Sequence, residues 1–116
     1  MDPLYPDLYN GLYSPRAQKA HNHDVPLLLY WMKRKEIYEK LLRNPKNIRF
    51  GFLCRAAERF GFTLKASRGS HHVFTRDGIP EILNLQDVNG KAKPYQVKQL
   101  CTIIGKYSLH EEEDHE

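Results

Sequence analysis

The chain has little of what holds many small proteins together or sends them to a membrane. Cysteine occurs twice in 116 residues, at Cys54 and Cys101, too few for a disulfide framework or a four-ligand zinc site. Both cysteines fall on helix-like apolar stripes, where they read as packing residues in a reducing, cytoplasmic setting. Long apolar runs are also missing. The longest, from Val25 to Met32, is eight residues and contains Pro26, against the roughly 20 residues that a spanning helix needs. No basic stretch of the secretory kind precedes it, so neither a membrane span nor export is expected. Histidine is absent between residues 24 and 70, and the only histidines away from the two ends are His71 and His72.

Acidic residues are scarce in the middle of the chain. Between Met32 and Leu109 sixteen basic side chains face six acidic ones, a net of +10 hidden inside an overall charge of +4. A basic segment of this size suits a polyanionic partner, because nucleic-acid affinity comes largely from phosphate neutralisation and counterion release. The alternative is a solvated charge coat. The balancing acid lies in residues 110–116, which carry five carboxylates and no Lys or Arg and read as an unstructured acidic tail.

Three regions follow. Residues 1–31 hold four prolines and a repeated pair, Leu4-Tyr5, Leu8-Tyr9 and Leu12-Tyr13. Pro6, Gly11 and Pro15 interrupt every turn of helix those pairs could form, so the segment reads as an irregular leader. Met32 before Lys33-Arg34-Lys35-Glu36 reads as a natural start. His21 and His23 lie in this leader, where two imidazoles on irregular chain do not make a metal site. Residues 32–109 form the domain, with its core in 48–109, and residues 110–116 are the tail. At this length one hydrophobic core is expected.

Within the domain the apolar spacing predicts a first helix over 33–43, ended at Asn44-Pro45. A second stripe, Phe50, Leu53, Cys54, Ala57 and Phe60, predicts a helix stopped by Gly61, with Arg55, Glu58 and Arg59 on its opposite face. Phe62–Ser67 alternates with period two, His72–Arg76 is β-branched and aromatic, and Ile82–Gln86 is a third short run. Arg68-Gly69-Ser70 and Asp77-Gly78-Ile79-Pro80 supply the turns of a meander. Pro94 opens a closing helix whose stripe is Val97, Leu100, Cys101, Ile104 and Tyr107. The expected fold class is α+β, with an α-β-β-β-α core, a three-stranded antiparallel sheet carrying its helices on one face, and an extra N-terminal helix.

Gly69-Ser70-His71-His72-Val73-Phe74 sits at the hairpin entering the middle strand, in the most basic part of the chain. Alternation sends His71 and His72 to opposite faces, so they cannot easily act as a base and acid pair. Histidine accepts and donates protons near neutrality, which is what metal-free RNA cleavage requires at the 2′-hydroxyl and the 5′-oxygen. Lys65, Arg68 and Arg76 are close enough in sequence to clamp a phosphate.

From about Ile48 to Leu109, roughly half of the chain, the sequence resembles the HicA family of toxins from toxin–antitoxin pairs. The residues that carry the resemblance are Gly61-Phe62 after the helix, Gly69-Ser70-His71 with Phe74 three residues on, and Lys93-Pro94 at the entry to the last helix. The resemblance implies a double-stranded-RNA-binding-like fold and an endoribonuclease that cleaves mRNA with no metal or cofactor. It makes His71 the catalytic histidine, with His72 the fallback, and implies restraint by a HicB-type antitoxin. Residues expected at the RNA are Lys65, Arg68, Gly69, Ser70, Arg76, Lys91 and Lys93, on a free toxin that is a monomer. Where many relatives carry Pro-x-His, this chain has Leu85 and Asp87, so a second imidazole is missing. Two other readings compete: a noncatalytic RNA-binding module gripping phosphates through Lys91, Lys93 and Lys98, and a protein-interaction module whose basic face meets an acidic partner.

Overall fold

The computed structural model describes residues 27–112. The leader's Leu-Tyr pairs, His21 and His23, and the tail beyond Glu112 lie outside the described residues. A 3-10 helix, Leu27–Trp31, is followed by α1 (Arg34–Arg43), α2 (Phe50–Arg59), β1 (Thr63–Arg68), β2 (His71–Arg76), β3 (Ile79–Val88), β4 (Lys91–Ala92), α3 (Pro94–Tyr107) and a second 3-10 helix, Leu109–Glu111. The strands form one sheet in the order β1-β2-β3-β4 with every pairing antiparallel.

Each helix begins and ends where its residues dictate. The Glu36 carboxylate accepts the Lys33 backbone N–H at 2.7 Å, satisfying a donor that the first turn of α1 leaves unpaired. Pro94 occupies the first turn of α3, where its missing N–H costs nothing. At the end of α2 the chain reverses through Gly61 at φ +87°, and a Cβ there would lie 3.1 Å from the Arg76 side chain. Only glycine meets both demands at once.

One face of the sheet carries Leu64, Phe74, Leu83 and Leu85, all essentially inaccessible. They join Leu53 and Ala57 of α2, Phe60 just after it, and Val97, Leu100 and Ile104 of α3, in a single core. Helix α2 is the centre of the molecule. Every residue from Phe50 to Ala57 is buried, and its start is fastened to the β3–β4 turn by Phe50 N–H donating to Gly90 O at 2.9 Å.

The structure departs from the sequence expectations in three places. Arg55, expected on a solvated face, is only 3 % exposed, with Nη2 3.2 Å from the Glu58 carboxylate, because α2 is covered on more than one side. The sheet has four strands where three were expected. Asn89 and Gly90 have φ values of 53° and 86°, the left-handed pair that a two-residue hairpin needs, and they return the chain into β4. Strand β3 begins at Ile79, earlier than expected, because β2 and β3 connect through Asp77-Gly78 alone. Pro80 is tolerated inside β3 because β4 pairs only with Asp87 and Val88, leaving the outer edge at Pro80 without a strand partner.

The folded unit also reaches beyond the expected boundaries. Leu29, placed by sequence in the leader, is fully buried in the core. Its carbonyl accepts Arg59 Nη1–H at 2.9 Å. The first tail residues are docked rather than unstructured: His110 packs against Tyr38 with ring centroids 4.6 Å apart, and Glu112 pairs with Arg34 and Arg76.

Candidate active site

The turn between β1 and β2 is two residues long, Arg68 pairing with His71 across Gly69 and Ser70. Gly69 has φ +58° and a Cβ there would meet nothing within 4 Å, so glycine is needed for its backbone conformation alone. A left-handed residue at the first central position matches the twist of the flanking strands. Ser70 is held from the neighbouring strand. Its carbonyl accepts Asp87 N–H at 2.9 Å and its Oγ lies 3.4 Å from Gln86 Nε2.

The pairing register divides the two histidines. His72 lies opposite Leu85, and Phe74 opposite Leu83, on the face packed by the helices. His71 lies opposite Gln86 on the other face and is exposed. Its Nδ1 is 3.2 Å from Oδ1 of Asn84, two residues before Gln86 on β3 and so diagonally across the same face. The amide oxygen only accepts, so it holds the imidazole proton on Nδ1 and leaves the Nε2 lone pair facing outward in the neutral ring.

A shallow open cleft of about 510 Å³ is lined by Arg68, Gly69, Ser70, His71 and Asn84. It combines a cation, a hydroxyl, an oriented imidazole and a turn stripped of side-chain bulk. Four of the residues singled out from sequence therefore meet in one place. Asn84 was missed. The signal existed in the alternation of Leu83 and Leu85 with Asn84 and Gln86, but which strand neighbour Asn84 reaches depends on register.

His72 is outside the cleft. It is half-buried, its ring edge-on to Phe50 at 5.0 Å and 72°, and its buried Nδ1 has no hydrogen-bond partner among the described residues. Burial lowers its pKa, and the charges of Arg55 and His71 add to that; a backbone contact with Ser70 and the Asp87 carboxylate oppose it. The neutral ring is thus the form that the fold favours.

Arg76 is not brought to the cleft. It sits at the far end of β2 from His71, roughly 17 Å away at about 3.3 Å per residue. There Nη1 donates to the Phe60 carbonyl at 2.7 Å and Nη2 to both carboxylate oxygens of Glu112 at 2.9 and 3.2 Å. Its guanidinium ties the α2–β1 turn to the C-terminal segment and does not line the cleft. Lys65 is exposed at a bulge in β1, between Leu64 and Ala66. Lys91 and Lys93 lie across β3 at the same end of the sheet as Ser70, because Asp87 bonds Ser70 on one side and pairs with Ala92 on the other. Neither lines the cleft. Asp87 spends one carboxylate oxygen on Gly90 N–H at 2.6 Å, closing the β3–β4 turn.

Residues 53–105 match the family model described as the HicA toxin of bacterial toxin–antitoxin systems. The matched segment is similar to the HicA toxin family. It runs from Leu53 in α2 to Gly105 in α3 and so takes in the whole sheet and every residue of the cleft. The similarity is to the toxin member of such pairs, and α1 and the first 3-10 helix lie in front of the matched segment. No curated protein and no solved structure matches the chain. Among the described residues no helix is long and apolar enough to cross a membrane.

Proposed function

We propose that the protein is an endoribonuclease that cuts mRNA in the cytoplasm with His71 as its catalytic group and no metal in the reaction. The observation that carries this reading is the His71–Asn84 pair in the cleft beside Arg68. With its proton on Nδ1, His71 offers Nε2 to the ribose 2′-hydroxyl. The 2′-oxygen then attacks the adjacent phosphorus, its proton passing to Nε2. The P–O5′ bond breaks to leave a 2′,3′-cyclic phosphate and a 5′-hydroxyl, the 5′-oxygen taking a proton from the imidazolium or from water. Arg68 and the donors at the Gly69-Ser70 turn face the charge that develops on the non-bridging oxygens. A positioned acid–base group of this kind is worth roughly 10² to 10⁴ in rate.

The α-β-β-β-α order, with helices on one face and His71 on the other, supports a double-stranded-RNA-binding-like ancestry to which β4 and the N-terminal elements are added. The partner that silences the toxin is a HicB-type antitoxin seated over the His71 cleft, and the free toxin is a monomer. The deciding experiment compares purified parent and His71→Ala protein on mRNA in chelator. The parent is expected to cut, leaving cyclic phosphate ends, and His71→Ala to bind RNA without cutting. Equal cutting by the two removes His71 from the mechanism. An uncut RNA with the parent, bound in a manner that Lys91→Ala and Lys93→Ala weaken, makes the protein a noncatalytic RNA binder.

A further inference from the structure

Tyr95 is the most exposed aromatic of the HicA-matched segment at 62 %, yet it is not a loose surface ring. It stands in the first turn of α3, where the helix backbone fixes its Cα. Its hydroxyl is 3.2 Å from Nε2 of Gln96. Gln96 is itself buried, and its Oε1 accepts the Gln86 backbone N–H at 2.8 Å. The side chain of Gln86 in turn reaches Ser70 Oγ. A continuous series of polar contacts thus runs from the wall of the His71 cleft across β3 to the edge of the Tyr95 ring. The Lys93 ammonium lies over that ring, 5.9 Å from its centroid.

Gln86 pairs directly with His71, one strand spacing of about 4.8 Å away, and Tyr95 is joined to the outer edge of β3 at Gln86 through Gln96. An RNA strand that leaves the His71 cleft over that edge would bring a neighbouring nucleotide to the ring. An exposed ring tethered at its hydroxyl, with a cation over one face, leaves its other face to a splayed-out base and sets the cation beside the phosphate. We infer that Tyr95 and Lys93 form a second nucleotide subsite, in which Tyr95 stacks a base of single-stranded RNA next to the scissile position while Lys93 meets its phosphate. This rests on the ribonuclease reading above and extends it from the cut phosphate to an adjacent base.

The test measures binding of a 2′-O-methyl RNA oligonucleotide, which cannot be cut, to the full chain and to Tyr95→Ala, Tyr95→Leu, Tyr95→Phe and Tyr95→Trp. Stacking on an aromatic is lost on truncation by roughly 5- to 100-fold in affinity. Tyr95→Ala and Tyr95→Leu should show that loss, whereas Tyr95→Phe and Tyr95→Trp should bind within about threefold of the parent, because the ring face and not the hydroxyl or the bulk makes the contact. Thermal melting of each variant checks that this exposed position leaves the fold intact. Parent-like binding by Tyr95→Ala overturns the subsite while leaving the His71 reading standing. Failure of the parent to bind the oligonucleotide overturns both.

Discussion

Asn84 holds Nδ1 of His71 from a diagonal position on the next strand, 3.2 Å away, and so orients that ring. Its amide oxygen selects the tautomer with a free Nε2. Asn84→Ala should therefore lower kcat at least tenfold, a part of the roughly 10² to 10⁴ that a positioned proton carrier contributes, with little change in KM. Asn84→Asp, which also accepts from Nδ1, should retain more activity than Asn84→Ala and shift the pH profile to higher pH. Equal kcat in all three proteins would show that the ring needs no orienting partner.

His72 couples the same strand to pH through stability rather than chemistry. Burial against Phe50 lowers its folded pKa below the ordinary value near 6.5. The unfolded chain therefore binds the proton more readily than the fold, and stability rises with pH across that interval. It is fully present above about pH 6.5 and is lost as pH falls through the folded value. Urea midpoints measured from pH 8 to pH 5 should fall on acidification in the parent and fall less in His72→Phe, which keeps the ring contact with Phe50 but cannot be protonated. Parallel midpoint curves would assign the acid sensitivity to other groups.

The division between His71 and His72 was legible because it needs only the two-residue period of a strand. The core was legible for the same kind of reason: Phe50, Leu53, Ala57 and Phe60 recur at helical spacing, and Leu83 and Leu85 alternate. Contacts between elements were not. Arg76 lies five residues from His71, yet a register shift between Phe74 and Arg76 and a partner 36 positions away at Glu112 decide where its guanidinium goes. Asn84 reaches His71 only because Val73 is its direct partner across the strands. Strand β4 is two residues long, too short to show alternation, although Asn89-Gly90 is a hairpin signal in its own right.

Arg76 serves the fold, so its loss should cost stability and spare turnover. Arg76→Leu gives up the bond to the Phe60 carbonyl and the pair with Glu112, and a loss of about 1 to 2 kcal/mol is expected. Glu112→Gln, which weakens the partly exposed pairs with Arg76 and Arg34 but leaves the Phe60 bond in place, should cost at most about 1 kcal/mol. Arg76 and Arg34 lower the Glu112 pKa, so that contribution is present above the ordinary carboxylate range and disappears as the group is protonated in acid. Chemical denaturation of the two variants at pH 7, together with kcat on RNA, checks this. A fall in kcat of tenfold or more for folded Arg76→Leu would return Arg76 to the phosphate.

Gly61 and Gly69 separate two reasons for glycine on either side of β1. Both have left-handed φ, which alone costs an L-residue about 1 to 2 kcal/mol. At Gly69 a Cβ would enter open space, so Gly69→Ala should cost no more than that backbone penalty. At Gly61 the new Cβ would stand 3.1 Å from Cδ, Nε and Nη1 of Arg76 and push on the guanidinium that holds Phe60 and Glu112. Gly61→Ala should therefore be the more destabilising of the two. Combining it with Arg76→Leu should cost less than the sum of the single changes, because part of the damage in each is the same lost contact. Additive urea midpoints would show that Gly61 acts through its backbone alone. For activity the order reverses, since Gly69 lines the cleft: Gly69→Ala should lower RNA cleavage more than Gly61→Ala at a temperature where both variants are folded.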